Sequence, residues 1–349
     1  MEFGFNFFPD VSPQVKSGQQ YFREALNLIE LGERYGYTHV RTVEHYFQPY
    51  GGYSPNPAVF LAAAAQRTHT MRLVTGAVLP VFNNPLKLAG ELGMLDAISN
   101  GRLDIGVARA FLPLEYAAFG VSMDESRARF EEGCAALRLL LSTENASFDG
   151  QFHRFHAITS LPRPVQQPHP PLWVAALASE ESFYKAGIDG YNLMAIPMSG
   201  AVMRPLLQTY HQAYRTAGHA GQGKVMLAFH MYCAPTDREA HDTARPLLNT
   251  YLQRLATAAT AWDTTTPKDY KGYPELIARL KRQNFEGLVT SGAAWVGSPA
   301  TIRDTIRRFV DEVEGFDSAS LQVMNGPTSE ADAERSIRLF ADQVMPALH

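Results

Sequence analysis

Short apolar runs alternate with amphipathic stretches along the whole chain. Continuous apolar runs closed by Gly, Pro or Asn read as buried strands, and apolar residues at three- and four-residue spacing read as helices. On these rules eight strands are expected: Met1 to Phe8, His39 to Glu44, Leu73 to Leu79, Arg102 to Ala108, Leu172 to Ala176, Asp189 to Ile196, Val225 to Cys233 and Ala319 to Met324. Helical spacing fills the intervals, from Gln20 to Tyr35 through to Glu330 to Val344. The helix from Asn84 to Ser99 is expected to turn Leu86, Ala89, Gly90, Gly93, Met94 and Ala97 to one face, and Asn100-Gly101 stops it. FDGQFHRF, Phe148 to Phe155, reads as a small hairpin, and Leu161 to Pro171 as a proline-rich linker.

Strands joined by helical crossovers are parallel, and the loops that follow them open at one end of the sheet. The alternation favours α/β architecture, a (β/α)8 TIM barrel with insertions, over an open doubly wound sheet. No G-x-G-x-x-G follows the first strand, which counts against a dinucleotide-binding fold. In such a barrel Gly76-Ala77, Arg109 and Glu115 share the rim that carries the active site. The whole chain, 1–349, reads as one domain, with 259–292 as a mobile lid insertion. That segment holds Trp262, Tyr270 and Tyr273, which could cover a flat ligand, and long irregular segments tend to be functional.

Composition narrows the class. The chain has 349 residues, 46% of them hydrophobic, enough for one large core, and a net charge of −4 gives no footprint for nucleic acid or an anionic membrane. Cys134 and Cys233, the two cysteines, sit in apolar contexts and read as buried thiols. No secretory leader and no membrane-spanning run is evident, so a cytoplasmic enzyme is expected. The histidines lack metal-site spacing, and no G-x-S-x-G elbow or phosphate-binding Walker loop occurs.

VEHYF after the second strand, TGAVLP at the third, NNPLKLAGELGMLDAISNGRLDIGVAR across the fourth unit and FDGQFHRF followed by LPRPVQQPHPPLWVAA before the fifth occur in that order, with GSPATI and LFADQVMP near the end. This ordered set resembles the bacterial luciferase-like, flavin-dependent monooxygenase family. The resemblance implies reduced FMN bound at the C-terminal ends of the barrel strands and supplied by a separate flavin reductase. Molecular oxygen would be the co-substrate, and the oxygenated molecule organic, apolar or natural-product-like, of the aldehyde or ketone class. It also implies pairing of barrels into a homodimer through helices beside the early strands.

Residue by residue, His45 matches the family's proton-handling histidine, with Tyr46 where many members carry a second histidine. Imidazole suits this work because it titrates near neutrality. Glu44 would orient His45 or contribute to the isoalloxazine environment; a structural salt bridge with Arg41, Arg72 or Arg109 is the alternative. Thr75, Gly76 and Ala77 match the segment beneath the flavin ring, where the family often has a non-prolyl cis peptide, expected here at Thr75-Gly76. Gly76 could equally relieve core crowding. Arg109 matches the arginine that holds the FMN phosphate, a role its fork geometry suits; an ion pair with Glu115 is the alternative. Glu115 would tune flavin affinity. Ala176, Leu177, Ala178 and Ser179 match the phosphate loop at a helix N-terminus, but Leu177 and Glu180 replace the usual hydroxyl residues. Two rival readings stand beside this one: a deazaflavin-dependent hydride-transfer enzyme on the same fold, and a non-catalytic flavin-binding subunit.

Overall fold

A computed structural model describes residues 1–348 apart from 266 and 271. Eight parallel strands close into a ring: β1 (Glu2–Phe7), β2 (His39–Thr42), β3 (Arg72–Thr75), β4 (Leu103–Val107), β5 (Leu172–Ala176), β6 (Asn192–Ala195), β7 (Val225–Cys233) and β8 (Ser318–Gln322). Each pairs with its sequence neighbour, and β8 pairs with β1 from Glu2↔Ser318 to Asn6↔Gln322. This is the (β/α)8 barrel expected from the alternation. A further strand, Ala294–Gly297, pairs with the C-terminal half of β7 outside the ring.

The period of two along the strands sorts side chains between two cores. Leu73, Leu103, Ile105, Leu172, Leu193 and Leu227 join helix residues in the main apolar core around the ring. Alternate positions, Val74, Trp173, Met194 and Met226, form a separate buried cluster that fills the ring itself. Above this plug the strands end in loops, and there the interior opens.

Capping explains the helix starts. Ser17, Asn56, Asn84, Ser298 and Ser329 each stand at a helix N-terminus and accept a backbone N–H there, and Pro57, Pro85 and Pro299 fill first-turn positions where no N–H is needed. The helix Ser126–Ser142 follows a short 3₁₀ turn, Met123–Glu125, that Ser122 caps. The hairpin forms as Ala146–Asp149 against Arg154–Ile158.

The helix Pro85–Ile98 corrects the expected facing. Leu88, Ala89, Leu92, Gly93 and Leu95 are buried, whereas Leu86 and Met94 are exposed. Almost every position of this helix is apolar or small, so its spacing names two faces and does not choose between them. The proline-rich linker decides the issue by docking on it. The carbonyl of Pro162 occupies the space over Gly93, and Gln166 donates from its backbone N–H and its side-chain amide to buried Asp96.

The 259–292 segment is built rather than irregular. It contains a 3₁₀ turn, Thr260–Asp263, and helices Tyr273–Lys281 and Phe285–Thr290. Trp262, Tyr270 and Tyr273 pack as a three-ring cluster with Trp262–Tyr270 and Tyr270–Tyr273 centroids 5.2 and 4.8 Å apart. Positions 266 and 271 of this expected lid lie outside the described residues. Among the described residues no helix is long and apolar enough to cross a membrane.

Candidate active site

The strand ends enclose a cavity of about 820 Å³ at the C-terminal mouth of the ring. Every barrel strand or the loop after it contributes to the lining, from Asn6 and Phe8 on the β1 side to Gln322 on β8. Its size and its apolar walls, carrying a few convergent polar groups, are those of a small-molecule site.

His45 follows β2 and is 9% exposed. Its backbone N–H donates to Ser54, and Gly51 packs so close that a Cβ there would lie 2.8 Å from the imidazole Cβ and Cδ2. Gly51 has φ +80°, a backbone conformation glycine adopts freely, so the QPYGGY loop both turns there and clamps the ring. Phe8, Tyr50 and Phe111 surround it, with ring centroids 5.6, 5.5 and 6.0 Å away. The Nδ1 atom lies 3.0 Å from Oε1 of Glu115, a fully buried carboxylate from the loop after β4. The same oxygen accepts the backbone N–H of Tyr46 at 2.9 Å. A carboxylate oxygen facing Nδ1 accepts, so Nδ1 is the donor of this pair and Nε2 is turned away from Glu115.

Glu115 therefore grips His45 and leaves Arg109 alone. Its place is behind the imidazole and outside the cavity lining. Arg109 instead donates from Nη1 to the carbonyl of Asp269 at 2.9 Å and lies over the ring of Tyr270, 4.1 Å from its centroid. Both partners belong to the 259–292 segment, so this arginine fastens that segment to the barrel rim while still lining the cavity.

Glu44 takes an arrangement the sequence did not offer. It neither orients His45 nor pairs with an arginine: Oε2 accepts the Leu79 N–H at 3.0 Å, and Oε1 accepts from Asn83 at 2.8 Å and from the Tyr46 hydroxyl. Burial pushes its carboxyl up to about 7, against the lowering effect of these donors. Of the expected arginine partners, Arg72 pairs with Asp104, Arg109 donates to the Asp269 carbonyl, and Arg41 reaches only the Gly76 carbonyl.

Thr75 lies outside the cavity lining. Its hydroxyl donates to the Gly106 carbonyl at 2.9 Å and accepts the Gly106 N–H at 2.8 Å, which stitches β3 to β4 where their regular pairing ends. The non-prolyl cis peptide falls at Gly76-Ala77, one residue beyond the expected Thr75-Gly76 bond. Both Gly76 and Ala77 line the cavity. A side chain at Gly76 would collide with Nε, Cγ and Cδ of Arg41, so the missing Cβ first of all makes room for that arginine.

After β5, Ala176, Leu177 and Ala178 line the main cavity, and Ser179 caps the helix Glu180–Ile188 by accepting the Ser182 N–H at 3.3 Å. Ser179 and Ser182 also line an adjoining pocket of about 440 Å³, faced by Arg279 and Arg282 of the 259–292 segment. Glu180 is exposed, and its neighbour Glu181 pairs with Arg127.

Three groups escaped the sequence reading. The sequence offers Arg41 only as a salt-bridge partner, and it singles out neither Asn6 nor the His45–Glu115 contact. The signal for the first two was present: Asn6 and Arg41 are polar residues on the inward-facing alternation of otherwise apolar strands.

The sequence matches the luciferase-like monooxygenase family over residues 1–313. The oxygenase component of a flavin-dependent trigonelline monooxygenase from Acinetobacter baylyi is 29% identical over 341 residues, 94% of this chain and 90% of that one. A monooxygenase from Streptomyces bottropensis is 41% identical and superposes with a TM-score of 0.89 over 100% of both chains. The oxygenating constituent of 3,6-diketocamphane monooxygenase from Pseudomonas putida, a type II Baeyer-Villiger enzyme in complex with FMN, shares the fold at 21% identity, with a TM-score of 0.83 over 99% of this chain and 98% of that one. With strand order, ring closure and sequence in agreement, this chain is an enzyme of the luciferase-like monooxygenase family.

Proposed function

We propose that the protein binds reduced FMN, delivered by a separate flavin reductase, and uses molecular oxygen to oxygenate an apolar organic substrate of the aldehyde or ketone class. The observation that carries this reading is the His45–Glu115 pair at the edge of an apolar cavity floored by Gly76-Ala77. Reduced FMN, when bound, supplies the electrons that activate oxygen.

The residues present fit that cofactor. Gly76 and Ala77, both small, line the cavity and leave room for a flat ring system. Arg109 at the rim, with the Ser179 and Ser182 hydroxyls at a helix N-terminus and Arg279 and Arg282 opposite, would hold the phosphate. These cations offset the loss of hydroxyl residues at Leu177 and Glu180. His45, with Nε2 free, takes or returns one proton in the cavity, and Glu115 stabilises the charged imidazole while it does so. Phe8, Tyr50 and Phe111 exclude water around it. The 259–292 segment, latched through Arg109, acts as the lid.

The exposed apolar residues Val59, Met94, Leu161 and Val165, with the Pro85–Ile98 helix and the linker docked on it, form the face through which two copies pair. The test of the reaction is incubation with reduced FMN and isotopically labelled oxygen against a panel of aldehydes and ketones. One labelled oxygen atom per product molecule is expected. Turnover with a reduced deazaflavin and without oxygen would overturn the reading in favour of hydride transfer. Flavin binding without turnover on any substrate would favour an accessory subunit.

A further inference from the structure

Arg41 is a buried cation without a counter-ion. It is 6% exposed, and its one hydrogen bond runs from Nη2 to the carbonyl of Gly76 at 3.0 Å. Its Nε and Nη1 have no partner, and among the described residues it forms no ion pair. Burial lowers its pKa only to about 10, so it stays charged at neutral pH. Buried arginines are ordinarily paired, since an uncompensated charge in a dry interior is costly.

Its neighbour across the sheet is Asn6, the register partner of Arg41 between β1 and β2. Asn6 donates through Nδ2 to Gln322 at 3.3 Å, but its Oδ1 is buried and unpartnered. Adjacent strands lie roughly 4.8 Å apart. Both residues line the cavity. The floor therefore presents orphan donors and an orphan acceptor side by side, next to Gly76. A ligand that satisfies both offers a carbonyl or anionic oxygen beside an N–H, the edge of a cyclic imide. The positive charge favours the form of that ligand carrying negative charge at this edge.

We propose that Asn6 and Arg41 are the receptor for the imide-like pyrimidine edge of the flavin, and that Arg41 makes the site prefer the reduced, anionic form. This rests on the flavin reading given above. Arg41 is a binding and positioning residue here and exchanges no proton. The consequence is selectivity at loading: reduced flavin is retained and oxidised flavin is released to the reductase.

The test is the dissociation constant of oxidised and of reduced FMN, the latter measured anaerobically, for the wild type, Arg41→Met, Arg41→Lys and Asn6→Asp. Arg41→Met is expected to weaken reduced FMN at least tenfold more than oxidised FMN. For a two-electron couple that ratio lowers the midpoint potential of bound flavin by about 30 mV. Asn6→Asp places a carboxylate beside the intact arginine and is expected to reproduce the loss, so the proposal stays testable if Arg41→Met does not fold. Arg41→Lys keeps the charge and is expected to retain part of the preference. Equal weakening of both redox forms in Arg41→Met and Asn6→Asp would reduce Arg41 to a prop for Gly76 and overturn the proposal, as would unchanged affinity for both forms, the outcome for an arginine that holds a substrate anion. If the wild type binds neither form, the flavin reading itself fails.

Discussion

Nδ1 of His45 and Oε1 of Glu115 lie 3.0 Å apart although 70 residues separate them in the chain. The carboxylate is sealed from solvent and holds the imidazole in one tautomer, with Nε2 free. Replacing Glu115 by Gln puts an amide where a pure acceptor stood and allows the imidazole to reverse its proton. Glu115→Gln is expected to lower the oxygenation rate roughly 100- to 1,000-fold, within the range of general acid–base effects. Flavin affinity should change by only a few-fold. Stopped-flow kinetics beside flavin titration checks both.

Glu44 sets a pH dependence of stability. Its carboxyl is raised from 4.5 to about 7 in the folded protein, with burial as the main cause. The folded state thus binds more protons than the unfolded state between these values. Its stabilising share is fully present below about pH 4.5 and is lost as pH rises through 7. The shift corresponds to roughly 3 kcal/mol at most. Melting curves of Glu44→Gln should converge with the wild type near pH 5 and lie above it at pH 8 to 9. A wild type that remains the more stable protein at pH 9 would contradict this.

Arg109 is expected to act on two things at once, through the Asp269 carbonyl and through the cofactor phosphate. Arg109→Ala should weaken FMN roughly 10- to 100-fold while leaving riboflavin, which lacks the phosphate, nearly unaffected. It should also speed proteolysis within the 259–292 segment, because the latch to Asp269 and Tyr270 is gone. Limited proteolysis with and without FMN reads the second effect.

Gly76 is a glycine because of Arg41. Gly76→Ala should destabilise the protein by about 1–3 kcal/mol, the usual range for overpacking. Shortening the arginine should return much of that loss, so the Gly76→Ala, Arg41→Ala double variant should be more stable than the sum of the singles. Denaturant midpoints of the four proteins close the cycle; strict additivity would mean that the two residues do not compete for the same space.

The exposed face around Met94 and Leu161 gives a further expectation. Met94 is 56% exposed and Leu161 is 70% exposed. Met94→Asp should convert a homodimer to a monomer with unchanged helical content, read by sedimentation and circular dichroism. A wild type that sediments as a monomer would remove the proposed pairing.

Much of the architecture was legible because buried parallel strands are short apolar runs and their helices carry clear caps. The eight strand positions and the shared rim follow from that alternation alone. The helix Pro85–Ile98 shows where pattern fails: a helix apolar on nearly all sides does not say which side faces in, and a linker distant in sequence decides it. The site was legible in membership more than in wiring. His45, Arg109 and Ala77 reach the cavity, but spacing could not show that Glu115 binds the imidazole rather than Arg109, or that Thr75 turns between strands. Those choices are made by contacts between loops far apart in the chain. Arg41 and Asn6 are readable as polar residues on an inward alternation, a weak signal because a charged residue in a strand is more often at a surface.

The most direct measurement is the partition of electrons from reduced FMN between oxygenated product and hydrogen peroxide, in the wild type and in His45→Ala under single-turnover conditions. If His45 handles the proton in the cavity, the wild type couples most of the flavin to product, and His45→Ala binds flavin within a few-fold but diverts it to peroxide. An unchanged product yield in His45→Ala, with flavin bound as before, would contradict the role assigned to the His45–Glu115 pair.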